Sequence, residues 1–327
     1  MDNLRNVSSN PHVRSRMTTQ MIMMWVIIAL LPAAGFGIYN FGVNALIVLA
    51  LSVGTCVLME FLFEKIVKKK VTVGDLSAVV TGLLLGMNLP PTAPFWLPVV
   101  GGFFAIIIVK MLFGGLGQNF MNPALGARCF LLISFPVYMN NFIIHAYTGA
   151  TPLSALKEAQ QAGDVTTALR NLNVMDMIIG RTSGVIGETS MIAIVIGACI
   201  LILAGIIDLR IPGSYIVSFV IFLLIFGPDR SSAYISAQLS GGGLMLGAFF
   251  MATDYVSSPI TSSGKYIYGC FLGIMTGIFR VLGASGEGVS YAIILGNLLV
   301  PIIERFTIPR AFGIQKEPKA KKEVEEA

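Results

Sequence analysis

The chain predicts an all-α membrane protein of about ten transmembrane helices, built as two inverted five-helix repeats with short half-helices. Three observations lead there. Over 327 residues, 55% are hydrophobic and 12% charged, about half the charged share of an ordinary globular domain, and the mean hydropathy is +0.80. The apolar runs are numerous, and most approach the roughly 20 residues that a bilayer-spanning helix needs. Most of the basic residues outside the apolar runs fall in alternate connections between those runs, as they do when one face of a membrane carries the positive charge.

In chain order, residues 1–19 form a polar, basic tail without a cleavable apolar core. Ten apolar segments follow, at 20–39, 43–63, 74–89, 95–112, 122–136, 190–208, 212–227, 240–253, 264–282 and 286–304. The third, fifth, seventh and eighth are short and carry Gly or Pro, the mark of broken helices around a site inside a membrane. Arg5, Arg14 and Arg16 precede the first span, Lys65, Lys68, Lys69 and Lys70 follow the second, and Arg210, Lys265, Arg305 and Arg310 sit at later alternate connections. Placed on the cytoplasmic side of the cell inner membrane, these residues put both termini in the cytoplasm. The tail 310–327 is then a solvated cytoplasmic segment.

That count divides the chain into a first membrane repeat, 20–136, an extracytoplasmic loop, 137–189, and a second membrane repeat, 190–309. The repeat itself is visible as a gapless match of GLLLGMNLPPTAP (Gly82–Pro94) on GAFFMATDYVSSP (Gly247–Pro259), and as an echo of GGLGQNF (Gly114–Phe120) in SGEGVSY (Ser285–Tyr291). Five spans per half turn the second half upside down relative to the first, with a site expected at the interface between the halves. Cys56, Cys129, Cys199 and Cys270 are scattered among apolar runs with no CxxC, so they read as small core residues, not as zinc ligands or disulfides. No metal site and no catalytic triad is predicted. Basic residues without interleaved aromatics give no support to nucleic-acid binding.

Three polar islands interrupt the apolar chain. In the long loop, HAYTGATPLSAL (His145–Leu156) places Thr151 before Pro152, an N-cap followed by proline at the first helical position, and LSALKEAQQAG has the period of a short amphipathic helix. Thr151 is either that cap or a hydroxyl that accepts a covalent group, since an esterified phosphate there would face a helix N-terminus. In GGLGQNFMNPALGAR (Gly114–Arg128), Asn119 and Asn122 are three residues apart. Asn122 is either an N-cap or, with Asn119, an amide pair suited to a polar ligand edge. Arg128 either snorkels or pairs with a flavin or phosphate. The third island, MATDYVSSPITSSGK, holds Asp254, an acid that serves an ion pathway or a cofactor or else a solvated span end. Asp75 poses the same choice at the other half-span, while Glu60, Lys110, Arg280 and Glu304 read as interfacial span ends.

TGATP, with NPHVRS before the first span, GGLGQNFMNPA after the fourth and MATDYVSSPITSSG after the eighth, resembles the NqrB/RnfD family of membrane flavin subunits of Na+-NQR and Rnf complexes over nearly the whole chain. The length, without a long N-terminal extension, is nearer to the RnfD branch of that family than to the NqrB branch. The resemblance implies a membrane flavoprotein relaying electrons between ferredoxin and NAD, coupled to Na+ or H+ translocation. It implies FMN joined through a phosphoester to Thr151, with Thr148, Gly149 and Ala150 as recognition residues for a flavin transferase. It also implies non-covalent riboflavin near Asn119 and Asn122, and the other Rnf subunits (A, B, C, E and G) as partners in the lipid bilayer. The family motif begins with an acid, where this chain has His145. An NqrB-like subunit, or a small-solute channel or transporter with the same inverted repeat, are the rival readings.

Overall fold

The structure, a computed structural model, describes residues 17–69, 71–144, 147–148, 151–283 and 288–309. Among them the chain is helical almost throughout. The helices are α1 (Thr19–Phe41), α2 (Val43–Ile66), α3 (Ser77–Met87), α4 (Trp96–Phe103, running on as a π-helix over Phe104–Met111), α5 (Pro123–Ser134) and α6 (Pro136–Met139). The loop contributes α7 (Pro152–Ala162), α8 (Val165–Asn171) and α9 (Val174–Ile179). Then come α10 (Met191–Leu203), α11 (Arg210–Phe226), α12 (Ser232–Ser240), α13 (Leu244–Leu246, running on as a π-helix over Gly247–Met251), α14 (Ser262–Val281) and α15 (Val289–Thr307). A two-residue hairpin, β1 (Ile143–Ile144) and β2 (Tyr147–Thr148), pairs Ile143 with Thr148.

Among the described residues, three helices are long and apolar enough to cross a membrane: Thr19–Phe41, Val43–Ile66 and Val289–Thr307. Shorter apolar helices accompany them, including Ser77–Met87 and Pro123–Ser134, which the Gly- and Pro-bearing half-spans predicted. Large apolar side chains stay exposed on the outside, such as Leu203 (87%) and Phe306 (83%). That is the arrangement expected when lipid tails, not water, are the solvent.

Close backbone approach holds the bundle together. α1 lies along α10 because Gly197 leaves no side chain between them: a Cβ there would meet the carbonyl oxygen of Ala29 at 2.0 Å. α11 lies along α14 in the same way at Gly273, where a Cβ would meet Ser218 Oγ at 1.9 Å. Such small-residue seams give helices dispersion contact when there is no water to drive them together. The Tyr215 and Thr276 hydroxyls bond across the second seam at 2.6 Å.

Two expectations are corrected here. Glu60, Lys110 and Arg280 are not interfacial: they are 1%, 2% and 2% exposed. Each is buried because packing supplies a partner. Lys110 Nζ donates to Glu60 Oε2 and to Ser77 Oγ, both at 2.6 Å, and the Arg280 guanidinium donates to the backbone oxygens of Gln238, Gly241 and Gly242. Nor are all four cysteines core residues: Cys56 and Cys129 are buried, but Cys199 and Cys270 are exposed.

The molecule has two ends. At the first, the basic end, Arg210, Asp208 and Lys265 cluster, Arg210 bonds Ser262, and Glu304 accepts from the Ile260 amide. At the second, the loop end, the 137–189 segment folds onto the bundle, with Asn40 donating to Gly180 O and Lys157 to the last carbonyls of α14.

Candidate functional site

Two pockets, one towards each end, hold most of the residues singled out in the sequence. The loop-end pocket, about 380 Å³, is lined by Thr151, Pro152, Leu153 and Met177, by Thr182, Ser183, Glu188 and Thr189 of the segment before α10, and by Ser240, Gly241 and Gly242. Thr151 is the N-cap of α7: its Oγ accepts from the Ser154 amide at 3.2 Å and donates to Ser154 Oγ at 3.0 Å. Pro152 occupies the first helical position, as the sequence predicts, and Gly163 ends the helix at φ 78°. The same residue therefore caps a helix and lines a polar cavity. An anion carried there would sit before the positive end of the α7 dipole.

α7 is held in place by its own side chains. Lys157 Nζ donates to Arg280 O at 3.0 Å and Val281 O at 2.8 Å, and Gln160 adds a third bond to Val281 O at 3.0 Å. A cation on the last carbonyls of α14 complements that helix's negative end. Burial pushes the Lys157 pKa below the ordinary lysine value. Arg280, bonded to Gly241 O and Gly242 O, ties the glycine turn to the same corner.

The basic-end pocket is larger, about 770 Å³, and mostly apolar. Asn119, Asn122, Lys110, Asp254, Ser77 and Thr253 supply its polar points. Asn122 is the N-cap of α5, its Oδ1 accepting from Ala124 N at 3.0 Å and Leu125 N at 3.4 Å, while its Nδ2 donates to Met251 O at 3.3 Å. The cap and the pocket-lining amide are thus one residue. Asn119 Nδ2 donates to Met121 O at 3.0 Å, and Asp254 Oδ2 accepts from Ser257 Oγ at 2.9 Å. Asp75 accepts from the Ser77 amide and hydroxyl, a turn cap at the start of α3. Tyr255 donates its hydroxyl to Ile206 O beside this pocket. An apolar chamber with a few convergent polar groups is the usual form of a small-molecule site.

Between the pockets runs a buried polar chain. Arg128 Nη1 donates to Asn88 Oδ1 at 2.5 Å and to Glu188 Oε1 at 2.6 Å. Asn88 Nδ2 donates to Leu84 O at 2.6 Å and touches Met251 Sδ at 3.8 Å. Arg128 therefore does not snorkel, and it pairs with a carboxylate of this chain. An ion pair makes a buried guanidinium tolerable.

The structure brings Asn119, Asn122 and Asp254 to one pocket and Thr151 to the other, with Arg128 between them. Thr148 lies in the hairpin before Thr151, and Gly149, Ala150 and His145 lie outside the described residues. Sequence reasoning missed Glu188, the 241–243 glycine turn and the Lys110–Glu60 pair. GGG in an apolar run was the available signal for the turn. Nothing local points to Glu188.

The profile of the NQR2, RnfD, RnfE family matches residues 6–313. The chain belongs to that family. Its NQR2/RnfD/RnfE relatives include the D subunit of the Na+-translocating ferredoxin:NAD+ oxidoreductase complex of Acetobacterium woodii, 48% identical over 97% of this chain and 98% of the relative. The D subunit of the proton-translocating ferredoxin:NAD+ oxidoreductase complex of Clostridium ljungdahlii is 39% identical over 96% of this chain and 98% of its own. The D subunit of the ion-translocating oxidoreductase complex of Pectobacterium atrosepticum is 35% identical, covering 94% and 98%. These relatives are all named as subunits of ion-translocating oxidoreductase complexes.

Proposed function

We propose that the chain is the membrane flavin subunit of an Rnf-type complex that moves electrons between ferredoxin and NAD and couples them to Na+ or H+ translocation. FMN is carried as a phosphoester on Thr151. The observation that carries this reading is Thr151, whose hydroxyl caps the N-terminus of α7 and which lines a polar pocket. The residues present fit the group: an anion is favoured before α7, and hydroxyls and glycine backbone line the cavity behind it. The basic-end pocket suits riboflavin, with Asn119, Asn122 and Asp254 offered to polar edges and apolar walls to the ring. Bound flavins would supply one- and two-electron redox chemistry; the protein binds them, orients them and excludes water.

Ten spans in two inverted repeats remain the reading for the membrane part, over 20–136 and 190–309. Its support is that α1 packs on α10 and α5 on α15, each a counterpart pair under five-plus-five numbering. The basic end faces the cytoplasm with both termini, and the 137–189 loop faces the outside of the inner membrane, by the distribution of Lys and Arg. The partners are the other Rnf subunits, A, B, C, E and G, with a flavin transferase acting during maturation.

Mass spectrometry of the Thr151 peptide from the purified complex tests the reading. An FMN-sized phosphoester adduct there, and flavin fluorescence that survives denaturing electrophoresis and disappears in Thr151→Val, are expected. A bare hydroxyl in the active complex would overturn it and favour a flavin-free channel or transporter. Neighbouring subunits in the same preparation separate an Rnf complex from a Na+-NQR-like one.

A further inference from the structure

One helix serves both pockets. Asn122, at the start of α5, lines the basic-end pocket. Arg128, six residues on (128 − 122) and so about 9 Å along the axis, pairs with Glu188, which lines the loop-end pocket. The pair is 4% and 6% exposed at its side chains, so water screens it little. The carboxylate is fixed from two sides. Arg128 holds it at 2.6 Å, and Gly243 makes room for it: a Cβ at Gly243 would lie 2.1 Å from Glu188 Oε1. The other end of the pair is equally constrained, because Arg128 bonds Asn88, the residue that ends α3.

We propose that Arg128 and Glu188 are a positioning pair that sets the charge, and through it the redox potential, of the loop-end pocket. The inference rests on the reading that flavin is tethered at Thr151. Glu188 supplies negative charge at the pocket wall and Arg128 balances it from behind. Each electron entering the pocket feels the sum of the two. In a medium of low effective dielectric, a full charge within about 10 Å is worth roughly tenfold in a redox equilibrium. Neutralising Arg128 makes the pocket more negative and its occupant harder to reduce; neutralising Glu188 does the reverse. A pair with a merely structural role would loosen the loop from either side and move both variants the same way. The sign of the two effects therefore separates electrostatics from scaffolding. Asn88 and Met251, which also contact Asn122 or Arg128, connect the pair to the basic-end pocket without adding charge.

The test is spectroelectrochemical titration of the purified whole complex carrying Arg128→Gln, Glu188→Gln, Arg128→Lys or the double glutamine substitution. The wave missing from Thr151→Val identifies the tethered flavin. At fixed applied potential, its oxidised-to-reduced ratio is expected to rise roughly tenfold in Arg128→Gln and fall roughly tenfold in Glu188→Gln. Arg128→Lys, which keeps the cation, and the double variant, which keeps neutrality, stay near the parent. If Arg128→Gln fails to assemble, Glu188→Gln and the double variant decide: a roughly tenfold fall in Glu188→Gln that the double variant restores to the parent is electrostatic, and a shift that persists in the double variant overturns the proposal. Flavin present on Thr151 with its wave unmoved, or moved in one common direction, overturns this proposal alone. A parental Thr151 peptide without flavin overturns the earlier reading and this one with it.

Discussion

Replacing Gly273 with alanine drives a methyl group into the backbone of α11. A Cβ there lies 1.9 Å from Ser218 Oγ, 2.6 Å from Tyr215 O and 2.7 Å from Phe219 N. The serine can rotate away, but the two backbone atoms cannot. Restoring an ordinary 3.4 Å contact to Tyr215 O requires the helices to part by about 0.8 Å, 3.4 less 2.6. The same movement carries the Tyr215–Thr276 bond from 2.6 Å to about 3.4 Å, outside useful O–H···O range. Overpacking costs about 1–3 kcal/mol, and the lost buried bond adds about 1 kcal/mol. The sum, about 2–4 kcal/mol, corresponds to a fall in Tm of roughly 3–6 °C for a chain of 327 residues. Thermal denaturation of the purified complex in detergent, read by size-exclusion profile, measures it. Gly213→Ala on α11 is the control, because a Cβ there meets nothing within 4 Å, and it should hold or slightly raise Tm. If Gly273→Ala and Gly213→Ala melt together, the close-approach account of this seam is wrong.

Lys110→Met leaves the Glu60 carboxylate without its 2.6 Å partner and should destabilise by about 3–5 kcal/mol; Glu60→Gln in the same chain should recover most of that loss of Tm, and a double variant no better than the single would refute the pairing. Lys157→Met removes two bonds to the end of α14, so cleavage of the 152–171 segment by a protease added to the loop side should speed up roughly tenfold, whereas an unchanged rate would show that α7 does not depend on that anchor. Thr151→Ala should cost α7 about 1 kcal/mol through the lost cap while Thr151→Ser keeps it; the same proteolysis assay reads both, and equal losses would argue against the capping role.

How much of this the sequence discloses depends on the range over which each feature is specified. Thr-Pro before an amphipathic run and glycine after it define α7 from neighbours alone, and Thr151 and Gly163 sit where local physics puts them. Asn122 before Pro123 is equally local. The Arg128–Glu188 pair is not, because 60 residues separate its members and only the docking of the loop on α3 and α5 unites them. Lys110 and Glu60 resemble span ends because a lone charge in an apolar run usually marks one. That a π-helical turn aims Lys110 into α2 is a fact of packing that no periodicity announces. The exposed Cys199 and Cys270 lie on helix faces whose orientation is likewise set by neighbouring helices.

The cap on α7 bears on what attachment to Thr151 would change. An ester oxygen has lost its hydrogen but keeps lone pairs, so a derivatised Thr151 can still accept from the Ser154 amide, and only the hydrogen given to Ser154 Oγ is forfeited. Loading the side chain and starting the helix are therefore compatible, and the protein has no need to choose between a well-made first turn and a working attachment point.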